Sequence, residues 1–254
     1  MWRWAGMAQL IVRSRADSKS LQRDAIAIEE LAWSGLGFLS HTKAHQKYYD
    51  DILEEYADLQ LCLVDVETDY PVAAINCVPV PNVPTQDLPP EGWDWLVEVG
   101  ATSQKRDRTL LGALAVSVPP ENRGRGYARA MIRALAEEAT KRGFERVVTP
   151  VRPSAKHRYA EVMMSEYIKW EDEKGRAFDP WLRSHLAVGG RVVHLCERSM
   201  VVDEHISFWE TWAGREFDKS GQYIVEGALS PISIDLEQQT GRYEEPNVWV
   251  TYSA

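Results

Sequence analysis

VPPENRGRGYA, residues 118–128, is the stretch of sequence that decides the fold, because it joins two segments with different hydrophobic patterns. The segment before it, residues 110–118, is almost continuously apolar and predicts a buried strand. The segment after it, residues 126–142, repeats apolar residues at three- and four-residue steps and predicts an amphipathic helix. The sequence therefore predicts a strand, a short glycine-containing turn and a helix in direct succession.

The turn between these two elements is suited to binding an anion. The first backbone N–H groups of a helix have no partner within the helix, and the helix dipole places partial positive charge there. Gly124 and Gly126 carry no Cβ, so a bulky anion can approach the main chain closely. We therefore expect a phosphate site, and specifically a pyrophosphate site, at the start of the helix.

Motif comparison narrows the class of ligand. The P-loop requires a Gly-Lys-Ser/Thr ending, which the chain lacks, and the dinucleotide fingerprint requires a third glycine where Arg129 stands. The pattern that fits is Arg-x-x-Gly-x-Ala, at Arg123, Gly126 and Ala128, preceded by Val-x-Pro-Glu over residues 118–121. With its flanking strand and helix, this pattern resembles the acyl-CoA-binding signature of the GNAT superfamily of N-acyltransferases.

The predicted order of elements over residues 9–151 also resembles that family. Its fold is α/β (α+β), with a mixed, mostly antiparallel central sheet flanked by helices. The sequence predicts strands over residues 9–13, 61–66, 72–78, 110–118 and 147–151, and helices over residues 18–34, 45–56, 92–99 and 126–142. The strand at residues 147–151 is expected to lie parallel to the strand before the glycine turn, because a helix connects the two.

The resemblance implies a cofactor site. In this family the loop amides hold the pyrophosphate of coenzyme A, and the preceding strand lines the pantetheine and the thioester. The cofactor implied is acetyl-CoA or another acyl-CoA, without a metal. The implied binding residues are Val116, Ser117, Val118, Arg123, Gly124, Arg125, Gly126, Tyr127, Ala128 and Arg129.

Three arginines support an anion site independently of the motif. Arg125, Arg129 and Arg133 are spaced by four residues and lie along one face of the predicted helix. Like charges at this spacing repel each other unless a negative group lies nearby, and the 3′-phosphate of coenzyme A would supply one. Neutralisation by Glu137 or Glu138, or exposure to solvent, is the alternative, and we favour it for Arg133.

Composition restricts the class of protein. The 254-residue chain has a net charge of -9, which disfavours a nucleic-acid binder. Its three cysteines lack metal-ligand spacing and indicate reduced thiols. No apolar run is long enough for a membrane span, and residues 1–10 lack the apolar core of a signal peptide. These features predict a cytoplasmic protein without nucleic-acid or membrane partners, and they leave a homodimer open.

The second half departs from the minimal family pattern, because residues 153–179 are inserted before the late helix. The sequence predicts this helix over residues 180–187, a second helix over residues 206–212, and strands over residues 191–195, 223–228 and 248–252. We expect one domain over residues 1–254, since no linker separates its parts. Residues 9–151 form the N-terminal half of the core, and residues 152–254 supply the late elements and substrate-side elaborations.

Catalysis requires a base for the amine, stabilisation of the oxyanion and a proton for the thiolate. The resemblance implies that the main chain at residues 116–118 meets the thioester carbonyl. Many family members carry a carboxylate base early in that strand, but residues 109–112 contain none. The base must therefore come from elsewhere.

Three side chains are candidates for proton transfer. Glu98 has tryptophan and aliphatic neighbours that would raise its carboxyl pKa if it is buried; a solvent-facing glutamate is the alternative. His157 follows the strand at the acyl site and suits a base near neutral pH, although it belongs to a basic cluster, residues 156–158, that a surface position also explains. Tyr159 matches the family's late tyrosine loosely, with a packed tyrosine as the alternative. His185 is a further candidate.

We predict an N-acyltransferase that moves an acetyl or other short acyl group from acyl-CoA to the amine of a small molecule. Two alternatives remain open because the usual strand carboxylate is missing. One is an acyl-thioester decarboxylase or O-acyltransferase on the same fold. The other is a non-catalytic coenzyme-A-binding sensor or partner subunit. Several of the ten tryptophans fall in the predicted elaborations, where they line a substrate pocket or close a second core, and we favour the core.

Overall fold

The computed structural model describes residues 9–253, so the expectation about a signal peptide in residues 1–8 lies outside the described residues. The strands are β1 (Leu10–Ser14), β2 (Leu61–Asp65), β3 (Tyr70–Pro81), β4 (Arg108–Ser117), β5 (Arg146–Val151), β6 (Arg191–His205), β7 (Gly221–Tyr223), β8 (Ile232–Asp235) and β9 (Thr240–Ser253). The helices are α1 (Lys19–Trp33), α2 (Lys43–Glu55), α3 (Gly92–Thr102), α4 (Tyr127–Arg142), α5 (Met164–Tyr167), α6 (Pro180–Ala187) and α7 (Ile206–Ala213).

All of these strands belong to one sheet with the order β1-β2-β3-β4-β5-β9-β8-β7, and β6 pairs with the opposite edge of β9. The β4–β5 pair is parallel, and the other pairs are antiparallel. This arrangement confirms the predicted mixed, mostly antiparallel sheet flanked by helices. Strands from both halves of the chain contribute to it, because β9 lies directly beside β5.

The predicted helices begin at residues that cap them. The Ser18 hydroxyl accepts a hydrogen bond from the Leu21 amide at the start of α1, and the Thr42 hydroxyl does the same for His45 at the start of α2. The Asp179 carboxylate caps α6. Such caps satisfy amides that the helix itself leaves unpaired. Helix α6 has the predicted bounds, α1 is shorter than predicted by one residue at each end, and α4 begins one residue later than predicted.

The helices cover two faces of the sheet. The first face carries α1, α2, α3 and α7, and the second face carries α4 and α6. Trp209 and Trp249 are fully buried on the first face, in the same core cluster as Leu110 of β4 and Val148 of β5 and not in a second core. No described helix has the length and apolar character needed to cross a membrane.

The predicted strand at residues 223–228 is wrong, because β7 ends at Tyr223. Val225 and Ala228 are buried, yet they lie in irregular chain. An apolar run indicates burial more reliably than strand geometry, so this misassignment has a physical reason. The strand β8 was not predicted, and the strand predicted over residues 191–195 continues to His205 as β6.

Candidate active site

The parallel strands β4 and β5 pair along only part of their length. Residues 110–112 pair with residues 146–148, and the pairing ends there. Strand β4 continues to Ser117 and β5 to Val151, without described pairing between the two continuations. The backbone groups of residues 113–117 that point toward β5 are therefore open to a ligand. We call this space the gap.

The segment of β4 that faces the gap carries a bulge. Asn76 pairs with Ala115 and Cys77 with Ala113, so Leu114 is an extra residue in β4. The Leu114 carbonyl accepts a hydrogen bond of 2.9 Å from the Trp93 indole. A bulge re-aims the main chain locally, here just before residues 116–118, which the resemblance assigns to the thioester carbonyl.

The predicted glycine turn follows β4 and has the backbone that only glycine adopts readily. Gly124 and Gly126 have φ values of 78° and 83°, and Gly126 immediately precedes α4. A Cβ at either position would meet no atom within 4 Å. These residues are therefore glycines because of their conformation, and the space in front of them is open to a ligand.

Cationic side chains surround the start of α4. Arg123, Arg125 and Arg129 are exposed. Within residues 9–253, no carboxylate forms an ion pair with Arg125, Arg129 or Arg133; Glu138 instead pairs with Lys141 and Arg142, one turn further along α4. Uncompensated cations at a helix N-terminus form a field suited to a polyanion.

The other residues predicted to bind the cofactor divide by burial. Ser117 and Tyr127 are buried, whereas Val116, Val118 and Ala128 are half-buried. The Ser117 hydroxyl accepts a hydrogen bond of 2.8 Å from Trp33, so its side chain is already bonded. Tyr127 packs into the core of the second face. Ser117 and Tyr127 can therefore contact a ligand only through their main-chain atoms.

The connector between α1 and α2, Ser34–His41, crosses the first face. At its start, Trp33 is bonded to the end of β4. At its other end, Phe38 packs edge-on against Tyr243 of β9, with ring centroids 5.5 Å apart, and His41 lies 2.8 Å from Glu204 of β6. The connector thus runs from one side of the gap to the other, on the face opposite α4. We call the region of the first face that it covers the chamber; Phe38 and Leu39 are buried in the core there.

A buried polar cluster lies on the β3 side of the chamber. Arg15 is 3% exposed, and its guanidinium bonds the Glu29 carboxylate and donates a 2.6 Å hydrogen bond to the Asn76 side chain. The Asn76 amide in turn donates to the Tyr49 hydroxyl at 2.8 Å. Burial raises the pKa of Glu29, and the neighbouring Arg15 opposes this effect. Asn76 is the residue that pairs with Ala115 of β4, so this cluster adjoins the gap.

A second buried carboxylate, Glu245, lies on the β9 side. It accepts hydrogen bonds from Arg152 at 2.9 Å, from the Tyr243 hydroxyl at 3.1 Å and from Asn247 at 3.2 Å. Arg152 directly follows β5 and also donates to the Gly227 carbonyl at 2.5 Å. Glu245 is fully buried and its two oxygens are occupied, so it holds the end of β5 in place.

A third carboxylate, Asp94, belongs to the first turn of α3. One of its oxygens accepts a 2.9 Å hydrogen bond from the Val201 amide of β6. The other oxygen is buried and has no hydrogen-bond partner among the described residues. Burial raises the pKa of Asp94 to about 6.

The three predicted catalytic residues lie in different surroundings. Glu98 is exposed on α3, so the burial on which its selection depended is absent. His157 is half-buried, and its ring nitrogen lies 2.9 Å from the Ser154 carbonyl. Tyr159 packs edge-on against Trp170, at 4.9 Å between ring centroids, as the packed alternative supposed. No described hydrogen bond joins these three side chains to one another.

Two further basic residues are buried. The surface position weighed as an alternative for residues 156–158 does not hold for Lys156: it is fully buried, and its ammonium donates to the carbonyls of Tyr159 and Leu229 at 2.8 and 2.7 Å. Burial lowers its pKa to about 8. His185 is bonded to the Tyr252 hydroxyl, and burial lowers its pKa to about 3.

Sequence reasoning missed Arg15, Glu29 and Asn76, although one signal was available. Asn76 is the one strongly polar residue in the apolar run from Val72 to Val78. A polar side chain inside a buried strand needs a partner, so it marks a buried polar contact. At position 112 of β4 there is no room for a carboxylate, because a Cβ on Gly112 would lie 2.6 Å from Leu96.

Two separating strands, a glycine turn and a cationic helix start define an acyl-CoA-dependent transferase. The model of the acetyltransferase (GNAT) family matches residues 26–163, and the chain belongs to that family. The arginine N-acetyltransferase avaD of Aspergillus versicolor is 34% identical over 243 residues, which covers 85% of this chain and 83% of that protein.

Two solved structures show the same fold. The loading GNATL domain of CurA from Lyngbya majuscula has a TM-score of 0.60 at 20% identity, covering 96% of this chain and 98% of that one. The GphF GNAT-like decarboxylase, in complex with isobutyryl-CoA, has a TM-score of 0.56 at 14% identity, with the same two coverages. At these identities the likeness concerns the fold alone.

The predicted activity is confirmed by the family and by the curated relative: the protein is an N-acyltransferase that moves an acyl group from acyl-CoA to an amine. Among the described residues, no group of three or more histidine, cysteine, aspartate or glutamate side chains is placed to hold a metal ion.

Proposed function

We propose that the protein transfers the acetyl group of acetyl-CoA to an amine of arginine or of a closely related basic amino acid. The observation that carries this proposal is the similarity to the arginine N-acetyltransferase of Aspergillus versicolor, which extends over most of both chains. The first face supports it, because Asp94 places a carboxylate there with one oxygen free of described partners, and a cationic substrate requires negative charge nearby.

The proposed donor site is the gap together with the glycine turn. The main-chain amides of residues 124–128 hold the pyrophosphate, and Arg125 and Arg129 bind the 3′-phosphate. The open edge of β4, at residues 116–118, contacts the pantetheine and the acyl carbonyl. The acceptor amine enters from the chamber, on the face opposite α4, so that donor and acceptor reach the acyl carbon from two sides.

The test is an assay of coenzyme A release from acetyl-CoA with a panel of amines. The panel contains arginine, ornithine, lysine, agmatine and citrulline, and mass spectrometry identifies the acetylated nitrogen. We expect arginine to give the highest kcat/KM. Citrulline, which replaces the guanidinium by a neutral group of similar shape, should be about tenfold or more worse, since a site built for a cation loses a charged contact.

Two outcomes would contradict the proposal. Equal rates with arginine and citrulline would mean that the site does not recognise the cation. Release of coenzyme A at the same rate without any amine would mean that water, and not an amine, accepts the acyl group. Malonyl-CoA without an amine is the control for decarboxylation, read out as release of carbon dioxide.

A further inference from the structure

We infer that Glu29 is the general base that takes the proton from the acceptor amine. The inference deepens the proposed function and rests on it, since it supposes an amine acceptor in the chamber. It assigns the missing base to α1, whereas the sequence placed its candidates on α3 and after β5.

Helix α1 lies beside the part of β4 that is open to the gap. Trp33 and Glu29 are four residues apart and therefore lie on one face of this helix. Trp33 is bonded to Ser117, the last residue of β4. Glu29 shares the Arg15 guanidinium with Asn76, which pairs with Ala115. Both contacts fasten this face of α1 beside residues 113–117, the part of β4 that is open to the gap.

The Glu29 carboxylate is partly buried and is held in place by an ion pair. The Glu29 side chain is 14% exposed, whereas that of Arg15 is 2% exposed, so the carboxylate is more accessible than its partner. Arg15 holds one oxygen, which fixes the direction of the other. The Tyr49 hydroxyl faces this cluster from α2, and the Cys62 thiol lies near it on β2. A partly desolvated carboxylate held in one orientation suits proton abstraction near neutral pH.

The two other buried carboxylates are less suitable. Both oxygens of Glu245 already accept hydrogen bonds, and the side chain is fully buried. Asp94 has a free oxygen, and its neighbour Trp93 bonds the Leu114 carbonyl of β4, but its other oxygen is anchored to Val201 of β6. Strand β6 lies on the edge of β9 away from β5, two strands from the gap. Glu29 is linked to β4 through Arg15 and Asn76, and it lies on the helix whose last residue, Trp33, bonds Ser117 at the end of β4.

The proposed step balances as follows. One proton of the acceptor ammonium moves to the Glu29 carboxylate, and the freed electron pair on nitrogen forms the bond to the acyl carbon. The bond between that carbon and sulfur breaks. The surplus proton on nitrogen passes to the departing thiolate, and Glu29 later releases its proton to solvent. Each turnover thus yields one amide, one thiol and one proton.

The experiment compares Glu29→Gln with Glu30→Gln, whose parent residue is adjacent and exposed. We expect Glu29→Gln to lower kcat about 100-fold or more, the usual contribution of a general base. Its affinity for coenzyme A, by calorimetry, should stay within about twofold, as should every property of Glu30→Gln. The wild-type pH profile of kcat should fall on the acid side, and Glu29→Gln should lack this limb.

Glu29→Gln leaves Arg15 buried without a counter-charge, which destabilises the folded protein. If this variant does not fold, a second variant tests the role of Glu29. Glu29→Asp keeps the charge but retracts the carboxylate, and we expect a loss in kcat of about tenfold or more with normal coenzyme A binding. A folded variant at this position with kcat near the wild-type value and an unchanged acid limb would overturn the inference alone. Wild-type protein that acetylates no amine would overturn the proposed function, and the inference with it.

Discussion

Trp33 donates a hydrogen bond of 2.8 Å to the Ser117 hydroxyl, and this bond joins the last residue of α1 to the last residue of β4. Arg123 adds a second tie, because its guanidinium donates to the Ala32 carbonyl at 3.2 Å. These two hydrogen bonds therefore hold the end of α1 against the end of β4 and the loop before α4. We call this contact the seam. A substitution in α1 at the seam should therefore affect the loop before α4, and a substitution in that loop should affect α1.

The first prediction concerns this seam. Trp33→Phe keeps an aromatic ring but removes the N–H donor, so it should cost about 1 kcal/mol, the net value of one hydrogen bond. We expect the KM for the acceptor to rise about threefold to tenfold, measured by steady-state kinetics, because α1 loses its tie to β4. Trp209→Phe is the control: it also loses an indole hydrogen bond, to the Gly241 carbonyl, but on the far side of the first face.

If Trp209→Phe raised the acceptor KM as much as Trp33→Phe, the effect would reflect general loosening of the core. An unchanged KM in Trp33→Phe would show that the seam does not position the acceptor.

The second prediction concerns the glycine turn. Gly126→Ala places a Cβ in the open space before α4 and holds alanine at a φ of 83°, a strain of about 1–2 kcal/mol. We expect the affinity for coenzyme A, measured by calorimetry, to fall about tenfold or more because that space receives the pyrophosphate. Gly143→Ala is the matched control, since Gly143 ends the same helix with a φ of 77° and open surroundings.

The two variants should lose similar thermal stability, and only Gly126→Ala should lose affinity. Equal affinity of Gly126→Ala and Gly143→Ala for coenzyme A would remove the pyrophosphate from the start of α4.

The third prediction separates the arginines of α4. If Arg129 binds the 3′-phosphate, Arg129→Ala should weaken coenzyme A binding about tenfold, as expected when a charged hydrogen bond is lost. Binding of dephospho-coenzyme A should hardly change in the same variant. Arg133→Ala, one turn further along, should affect neither ligand. Equal losses for coenzyme A and its dephospho form would place the Arg129 contact on the pyrophosphate instead.

The sequence predicted those elements correctly whose structure depends on residues adjacent in the chain. Strand β4, the glycine turn and α4 follow one another directly, so hydrophobic period and glycine placement determine all three. The same holds for α6, because Asp179 and Pro180 mark its start. Strand β8 escaped prediction because it has only four residues, although a short turn joins it to its partner β9.

The chamber could not be predicted, because its residues meet only through tertiary structure. Arg15 and Asn76 are 61 residues apart, and the pairing of β1, β2 and β3 brings them together. Glu29 and Glu98 both lie on amphipathic helices, and the pattern alone does not distinguish a glutamate beside β4 from an exposed one. Lys156 belongs to a charged run that resembles a surface, yet its ammonium donates a hydrogen bond to the Leu229 carbonyl of a distant segment.

The fourth prediction concerns His185, whose folded-state pKa of about 3 lies below the ordinary 6.5. Between these pH values the unfolded chain binds a proton at this position and the folded chain does not, so stability falls as the pH decreases through 6.5. From pH 7 to pH 5 the loss should be about 2 kcal/mol in the free energy of unfolding. Urea titrations at the two pH values measure the free energy of unfolding. His185→Gln should lose less stability than the wild type by that amount. His205→Gln should lose as much as the wild type, since His205 is exposed. Identical pH dependence in wild type and His185→Gln would mean that the folded protein admits the proton, and that the buried ring is accessible to water.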